Sequence, residues 1–331
     1  MALAPMSDVT DAAFRRIVAK YGKPDVMFTE FVSADGLFLA DDKGRKKLLR
    51  AFLYTENERP IVAQFFSSKP EMIKKAASLA AEMGFDGINI NMGCPDRSVE
   101  RQGAGAALMK NPPLAREIIL AAIEGAKCGK KKIPVSVKTR IGYGKDELKT
   151  WLPVLLKTGL SAVTIHARTR KELSKVPARW ETIKEAVEIR NGMGVETLIL
   201  GNGDATDLPD AFRRVRESGA DGVVIGRAIF GNPWLFADLP ELRKRFKKDS
   251  KIESSEKEKV SIKKKLEVML EHSRLFEKMM VGSKNFPVMK KHIKAYVSGW
   301  DGAKGLRTTL MKAENLSQVE REVKKRLAGR I

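Results

Sequence analysis

Three chemically versatile side chains follow apolar segments that are typical of β-strands. Cys94, one of only two cysteines in 331 residues, comes just after the alternating run GININM at 87–92. Lys138 lies near the end of VSVKTR, and His166 lies near the end of SAVTIHA. A thiol can serve as an acid, a nucleophile or a metal ligand. A lysine can neutralise an electron-rich ring, and a histidine can donate to a carbonyl or a phosphate. Each residue alone is compatible with a structural role, but the three at successive strand ends indicate a reactive site.

Two glycine-containing loops further along the chain predict a phosphate site. The segment GNGD (201–204) follows one apolar run, and Gly226-Arg227 follows the next. Glycines let backbone N–H groups approach an anion, and an arginine with a following helix N-terminus adds positive potential. Tight turns that bind nothing are the alternative interpretation of the same glycines.

The segments that carry and connect these groups are predicted to alternate between strands and helices. Amphipathic segments such as PEMIKKAASLAAEMG (70–84) have apolar residues at helical spacing and end at glycine. Eight strand–helix units predict an α/β fold, a (β/α)8 TIM barrel, whose chemistry lies at the carboxyl ends of the strands. A doubly wound open sheet is the rival, but no GxGxxG turn follows the first strand. The predicted strands are LAPM (3–6), DVMFTEF (25–31), IVAQFF (61–66), GININM (87–92), VSVKTR (135–140), SAVTIHA (161–167), TLILGNG (197–203) and GVVIGR (222–227).

The pattern changes around residues 240–260. The segment KRFKKDSKIESSEKEK (244–259) is charged and has few apolar residues, which is typical of a linker or an exposed helix. Helical periodicity returns in residues 260–280, 286–297 and 316–329. We therefore predict a catalytic barrel domain over residues 1–240, followed by a basic linker and a small helical domain over residues 241–331.

The overall charge favours a polyanionic partner. The chain carries 62 basic and 41 acidic residues, a net charge of +21. Residues 241–331 hold 25 basic and 12 acidic residues, a net charge of +13. Nucleic acid is the first expectation and an anionic membrane the second, although a lysine-rich proteome would also raise the charge. Two cysteines provide no disulfide framework, and no run of about eighteen apolar residues is present. We therefore expect a cytoplasmic protein without a membrane span.

Ordered motifs across residues 3–240 resemble the tRNA-dihydrouridine synthases. The most specific combination is NMGCP (91–95) with HARTR (166–170), and the opening LAPMSDVTDAAFRR is similar to the family's first strand and loop. The segment FPVMKKHIKAYVSGW (286–300) weakly resembles the family's C-terminal helical domain. The remaining motifs are RQGAGAALM (101–109), VSVKTRIG (135–142), ILGNGD (199–204) and VVIGRAIFGNPW (223–234).

The resemblance implies an FMN-dependent enzyme that uses NADPH to reduce the 5,6 double bond of a uridine in tRNA. It implies that Cys94 is the acid that protonates C5 after hydride reaches C6, which would explain a thiol at this strand end. It implies no metal site and no obligate protein partner. Asn91 and Arg168 are implied as substrate contacts. The implied cofactor contacts are Pro5, Met6, Ser7, Gln64, Lys138, His166, Asn202, Gly203, Asp204, Gly226 and Arg227.

The chain departs from the family pattern at several positions. Asn89 and Arg179 stand where the family usually has aspartate, Lys290 replaces an arginine, and Ala295 replaces a tryptophan. The chain also begins almost on the first strand, so we expect that a segment which commonly precedes it is missing. These departures bear on the barrel mouth and on the contacts to tRNA.

Two other functions are compatible with the same residues. One is another FMN barrel that reduces a small molecule, which leaves the basic tail unexplained. The other is an RNA-binding barrel without catalysis, against which the presence of Cys94, Lys138 and His166 argues. A bound flavin, detected by spectroscopy, would distinguish the two flavin enzymes from the RNA-binding barrel without catalysis.

Overall fold

A computed structural model describes residues 1–129, 131–248, 260–280 and 282–329 of the chain. Its eight strands are all parallel and lie in the order β1-β8-β7-β6-β5-β4-β3-β2. A single parallel bridge between Ala2 and Val26 joins the two edges, so the sheet is a nearly closed barrel. The predicted (β/α)8 architecture is confirmed. The strands are β1 (Ala2–Leu3), β2 (Met27–Ser33), β3 (Ile61–Phe66), β4 (Gly87–Met92), β5 (Val135–Arg140), β6 (Ala162–His166), β7 (Leu198–Asn202) and β8 (Gly222–Ile225).

The first strand is shorter than the predicted 3–6. Pro5 has no N–H to donate to a neighbouring strand. The carbonyl of Met6 accepts hydrogen bonds from the N–H groups of Val9 and Thr10, which turns the chain out of the sheet. The strand therefore ends at Leu3 and not at residue 6 as the apolar pattern predicts. Pro5 and Met6 lie in the loop that follows it.

The helices surround the barrel and then form a second layer at one side. The helix α4 illustrates the local cause, since proline occupies its first turn and its buried residues recur at helical spacing. The helices are α1 (Ala12–Tyr21), α2 (Ala34–Leu39), α3 (Asp42–Leu49), α4 (Pro70–Glu82), α5 (Arg97–Glu100), α6 (Pro112–Gly125), α7 (Leu148–Leu156), α8 (Glu181–Gly192), α9 (Leu208–Ser218), α10 (Leu239–Lys248), α11 (Ile262–Met280), α12 (Lys290–Tyr296), α13 (Ala303–Leu310) and α14 (Leu316–Leu327).

The main core lies between the barrel and its helices. All six residues of β4 are buried, as expected for a parallel strand that is covered on both faces. Large side chains such as Phe14, Phe52 and Phe65 fill the space between the strands and the outer helices. The helix α10 also packs here, because Leu239 and Leu242 are buried in this core. The strand ends are therefore held by a continuous hydrophobic layer.

The C-terminal helices pack on α1 and form a second core with it. Ala12, Ala13 and Ile17 of α1 are buried together with Leu266 and Met269 of α11. The predicted helical periodicity of this region is confirmed. Of the predicted linker, residues 244–248 belong to α10, and residues 249–259 lie outside the described residues. In the part of the chain that the structure describes, each helix is too short or too polar to cross a membrane.

Candidate active site

The carboxyl ends of the strands surround a cavity of about 640 Å³. It brings together ten of the side chains and loops that the sequence predicts, contributed by β1, β5, β6, β7, β8 and the segments after them. The predicted residues that line it are Pro5, Met6, Lys138, His166, Arg168, Asn202, Gly203, Asp204, Gly226 and Arg227. Ser7, Gln64, Asn91 and Cys94 are not part of this lining.

Lys138 carries a partly buried ammonium without a carboxylate partner among the described residues. This group donates a hydrogen bond of 3.0 Å to Oδ1 of Asn202, whose amide nitrogen in turn donates to the carbonyl of Val224 at 2.7 Å. Burial lowers the pKa of Lys138 to about 7, with a further contribution from the positive charge of Arg140. An anion placed beside this ammonium would restore its ordinary pKa. This part of the mouth therefore favours a negatively charged ligand.

Arg168 connects His166 to Asp204. Its guanidinium Nη1 lies 3.1 Å from Nε2 of His166, its Nη2 donates to the carboxylate of Asp204, and its Nε donates to the carbonyl of Val176 at 2.6 Å. The carboxylate of Asp204 also accepts from Arg227 at 2.6 Å. Asp204 therefore bridges two arginines, and any contact it makes to a phosphate runs through its backbone rather than through its carboxylate.

The protonation of His166 follows from this arrangement. A guanidinium can only donate, so Nε2 of His166 must accept and the proton of the neutral ring must lie on Nδ1. Burial lowers the pKa of His166, and the cations Lys138, Arg140 and Arg168 add to the effect. Burial opposes ionisation of Asp204, but the hydrogen bond from Arg168 and other contacts hold the pKa of Asp204 below its ordinary value. The mouth therefore combines a neutral imidazole with fixed charges.

The turn after β4 positions Cys94. Oδ1 of Asn91 accepts from the backbone N–H of Gly93 at 3.1 Å and of Cys94 at 2.9 Å. The carbonyl of Cys94 accepts from the N–H of Ala106 at 3.0 Å. Burial raises the pKa of the Cys94 thiol above its ordinary value, so the thiol is protonated at neutral pH. Asn91 thus serves the backbone of this loop instead of facing the cavity.

Gln64 lies below the mouth in a row of amides. Its Nε2 donates to Oδ1 of Asn89 at 2.6 Å, and its Oε1 accepts from Asn91 at 3.3 Å. Asn89 continues the row by donating to the hydroxyl of Ser136 at 2.8 Å. Gln64 and Asn89 are both fully buried. The asparagine that departs from the family pattern therefore has a satisfied hydrogen-bonding role in this chain.

Three residues of the site were given no role from the sequence. Arg140 lies two residues after Lys138 on β5, so it points to the same face, and it binds the loop that carries Cys94. Arg170 and Glu100 form an ion pair between that loop and the loop after β6. The alternation along β5 could have identified Arg140. No local pattern could have identified a pair whose members are 70 residues apart.

The other departures from the family pattern occupy different surroundings. Arg179 forms an ion pair with Glu172, with nitrogen–oxygen distances of 2.8 and 3.0 Å. The backbone of Ala295 lies against Gly231. A Cβ atom on residue 231 would lie only 2.4 Å from the carbonyl oxygen of Ala295. The loop after β8 therefore touches α12 closely at a position where a side chain would not fit.

The family model and the similar sequences indicate one family, and a solved structure shows a similar fold. Residues 2–330 match the family model described as dihydrouridine synthase. The chain is 37% identical over 318 residues to "Probable tRNA-dihydrouridine synthase 2" of Bacillus subtilis (strain 168), covering 96% of this chain and 90% of that protein. It is 36% identical to "Probable tRNA-dihydrouridine synthase" of Staphylococcus aureus (strain COL), covering 96% and 89%. Among solved structures, histamine dehydrogenase from Rhizobium sp. 4-9 is similar in fold, with a TM-score of 0.54 and 14% identity, covering 83% of this chain and 48% of that one.

Proposed function

Because the chain belongs to the dihydrouridine synthase family, we propose that it reduces a uridine of tRNA to 5,6-dihydrouridine, with FMN at the barrel mouth and NADPH as reductant. The observation that carries the proposal is the cation-lined cavity of Lys138, Arg168 and Arg227 at the same barrel mouth as a protonated cysteine. The relatives named above support tRNA as the substrate, since their names specify it.

The residues of the mouth fit an anionic cofactor that carries one phosphate. Lys138 has a partly buried ammonium whose partner among the described residues is an amide oxygen. Gly203 presents bare backbone with φ 126°, and a Cβ atom there would come within 2.8 Å of the Cβ of Ala178 and 3.2 Å of Cδ2 of His166. The side chain of Arg227 is largely exposed, and its guanidinium lies beside Asp204 of the GNGD loop. These features favour close approach of a phosphate to backbone N–H groups.

The roles that follow for the individual residues are part of the proposal. Lys138 would neutralise negative charge on the flavin ring, near N1 and O2, and His166 would donate from Nδ1. Arg168 would contact the uracil. The proposed contacts to the ring are Pro5, Met6, Ser7 and Gln64, and those to the phosphate are Asn202, Gly203, Asp204, Gly226 and Arg227.

The chemistry divides between cofactor and chain. When bound, reduced flavin supplies a hydride to C6 of uracil. Cys94 supplies the proton that C5 requires, and the resulting thiolate regains a proton from solvent. The raised pKa of Cys94, which burial causes, keeps the acid form populated at neutral pH. Each turnover then consumes NADPH and one proton and yields NADP⁺ and dihydrouridine.

The substrate must bring a base out of its stack to reach the mouth. A loop uridine in folded tRNA is the least costly choice, because it is already unstacked or weakly stacked. The net charge of +13 beyond residue 240 supports contacts from the C-terminal helices to the phosphate backbone. We propose that these helices bind the tRNA while the barrel receives the base.

The test is a reconstituted reaction with the full chain. Purified protein should be yellow and should release FMN on denaturation. Anaerobic reduction by NADPH, followed by mixing with an unmodified tRNA transcript, should produce dihydrouridine that mass spectrometry detects as a gain of two hydrogens. A protein that takes up no flavin would contradict the proposal. Flavin that is reoxidised by small unsaturated carbonyl compounds but never by tRNA would instead support a small-molecule reductase.

A further inference from the structure

We propose that Glu100 and Arg170 are positioning residues that hold the Cys94 loop (residues 93–105) against the loop that follows β6 (residues 167–180). The inference rests on the proposed function, because that function places an acid at Cys94. Neither residue is assigned a contact to substrate or cofactor. Their effect on the reaction would pass through the position of the thiol.

Glu100 and Arg170 form a bidentate ion pair. Nε of Arg170 donates to the two carboxylate oxygens of Glu100 at 2.8 and 2.9 Å, and Nη2 donates to the same carboxylate. The Glu100 side chain is 10% exposed and the Arg170 side chain 24% exposed. Bidentate, charge-assisted bonds of this kind are stronger than those of an exposed lysine pair. The guanidinium also lies over the ring of Tyr143, 5.4 Å from its centroid.

Arg140 makes a second connection between the same two loops. Its Nε donates to the carbonyl of Gly93 at 2.9 Å, and its Nη1 donates to the carbonyls of Thr169 and Leu173, both at 3.0 Å. Arg140 is buried, so its donors have no water to replace these partners. The start of the Cys94 loop is therefore fixed through Arg140, and its middle is fixed through Glu100.

Cys94 lies inside the segment that these contacts fix. Its side chain packs against the buried cluster of Phe66, Val99 and Ala104, and Val99 directly precedes Glu100. If the ion pair opens, this part of the loop is no longer held against the loop after β6 by Arg170. The thiol would then be less restricted by its packing. A general acid must lie within hydrogen-bonding reach of the atom it protonates, and a shift of about 1 Å can cost roughly a hundredfold in rate.

The experiment compares Glu100→Gln, Arg170→Gln and the double variant in full-length protein. All carry Cys128→Ser, because Cys128 is exposed and would also react. The first readout is the rate at which iodoacetamide alkylates Cys94 in the free enzyme, followed by mass spectrometry. The second is the single-turnover rate of reduced enzyme with unmodified tRNA. The third is the rate of flavin reduction by NADPH, which does not involve the thiol.

We expect alkylation of Cys94 to accelerate roughly tenfold or more in each single variant, which corresponds to removal of one charge-assisted interaction. We expect the single-turnover rate with tRNA to fall roughly ten- to a hundredfold, while flavin reduction stays unchanged. The double variant should resemble the single variants, because either substitution removes the same ion pair. Arg170→Lys, which keeps the charge but not the bidentate geometry, should give intermediate values.

A matched pair provides the control. Arg190 and Asp221 lie 3.1 Å apart with side chains 14% and 28% exposed, at the amino ends of the strands, opposite to the mouth. Asp221→Asn should leave alkylation and turnover unchanged. Equal changes in Asp221→Asn, unchanged rates in both single variants, or additive effects in the double variant would each overturn the proposal. If the parent protein forms no dihydrouridine, the proposed function fails, and the alkylation rates still decide whether the pair fixes the loop.

Discussion

The barrel mouth and the junction between α1 and the C-terminal helices each contain a histidine, but they surround its ring differently. At the mouth, His166 accepts from Arg168 and lies among cations. At the junction, His272 lies 5.3 Å from the ring of Phe14 and 4.7 Å from that of His292, measured between centroids. Among the described residues, neither ring nitrogen of His272 has a hydrogen-bond partner.

The lysines of the two regions differ in the same way. Lys138 at the mouth has no carboxylate partner among the described residues, and burial lowers its pKa to about 7. Lys284, at the junction, lies 2.7 Å from Glu30 and 3.1 Å from Asp8. Burial opposes its charge, but the carboxylates of Glu30, Asp11 and Asp8 raise the pKa of Lys284 above the ordinary value. The lysine of the mouth therefore lacks a carboxylate partner among the described residues, whereas the lysine of the junction has several. This difference in charge balance, and not burial alone, distinguishes the proposed active site.

The largest expected effect belongs to the mouth. Cys94→Ala should keep its flavin and its reduction by NADPH, but it should convert tRNA uridine roughly a hundred- to ten-thousandfold more slowly, because the proposed general acid is removed. Single-turnover kinetics of reduced enzyme measure the effect. Cys128→Ala, at an exposed cysteine, is the control and should react like the parent. Unchanged turnover in Cys94→Ala would make the thiol structural.

The two lysines should respond in opposite ways to removal of their charge. Lys284→Met leaves the carboxylates of Glu30 and Asp8 without their cation and should lower the free energy of unfolding by about 3 kcal/mol. Lys138→Met removes an unbalanced cation, so stability should be kept or increased, while flavin binding weakens roughly ten- to a hundredfold. Urea unfolding and flavin titration measure the two quantities. A large decrease in stability in Lys138→Met would contradict the difference between the regions.

The histidines predict a pH-dependent contrast. Burial lowers the pKa of His272 to about 3, from about 6.5 in the unfolded chain. Because the folded protein keeps this ring neutral, the free energy of unfolding has its full value from His272 above pH 6.5. This contribution is lost as pH falls from 6.5 towards 3, where the unfolded chain binds the proton and the folded protein does not. His272→Phe should change stability little at pH 7, and at pH 4.5 it should be more stable than the parent by about 2–3 kcal/mol.

Urea unfolding at the two pH values measures this difference. Asp11, whose pKa is raised to about 6 by burial, contributes to both proteins and largely cancels in the comparison. His166→Phe is the counterpart at the mouth, where it removes the acceptor of Arg168 and should weaken flavin binding instead. A parent and a His272→Phe variant that lose stability equally between pH 7 and pH 4.5 would refute the prediction.

The smallest effect concerns the surface of the C-terminal helices. Replacing Lys290, Lys291 and Lys294 by glutamine should weaken tRNA binding. It should also reduce the slope of log affinity against log salt concentration by up to about one for each phosphate that is no longer neutralised. Binding at several salt concentrations measures the slope. The matched control replaces three exposed lysines of the barrel helices and their ends, Lys75, Lys157 and Lys184. Equal slopes in both triple variants would mean that these lysines only solvate the surface.

The local pattern of the sequence was sufficient to predict the barrel and much of its mouth. Eight apolar runs separated by amphipathic segments predict the alternating elements, because side-chain periodicity and burial are local properties of the chain. The position of a residue at the end of a strand then predicts that it lies at the mouth, which is how Lys138, His166 and GNGD (201–204) were selected. Strand ends were less well predicted, as β1 shows, because they depend on which backbone groups find partners.

The partners of the polar residues at the mouth, by contrast, could be assigned only from the three-dimensional fold. Gln64 and Asn91 were predicted as ligand contacts, and the structure adds that their amides bind each other and the backbone of the Cys94 turn. The pairing of Glu100 with Arg170 depends on two loops that meet only after the barrel closes. Periodicity along a chain specifies which face a side chain occupies. The partner it finds there is set by distance in three dimensions, and residues far apart in sequence supply that partner.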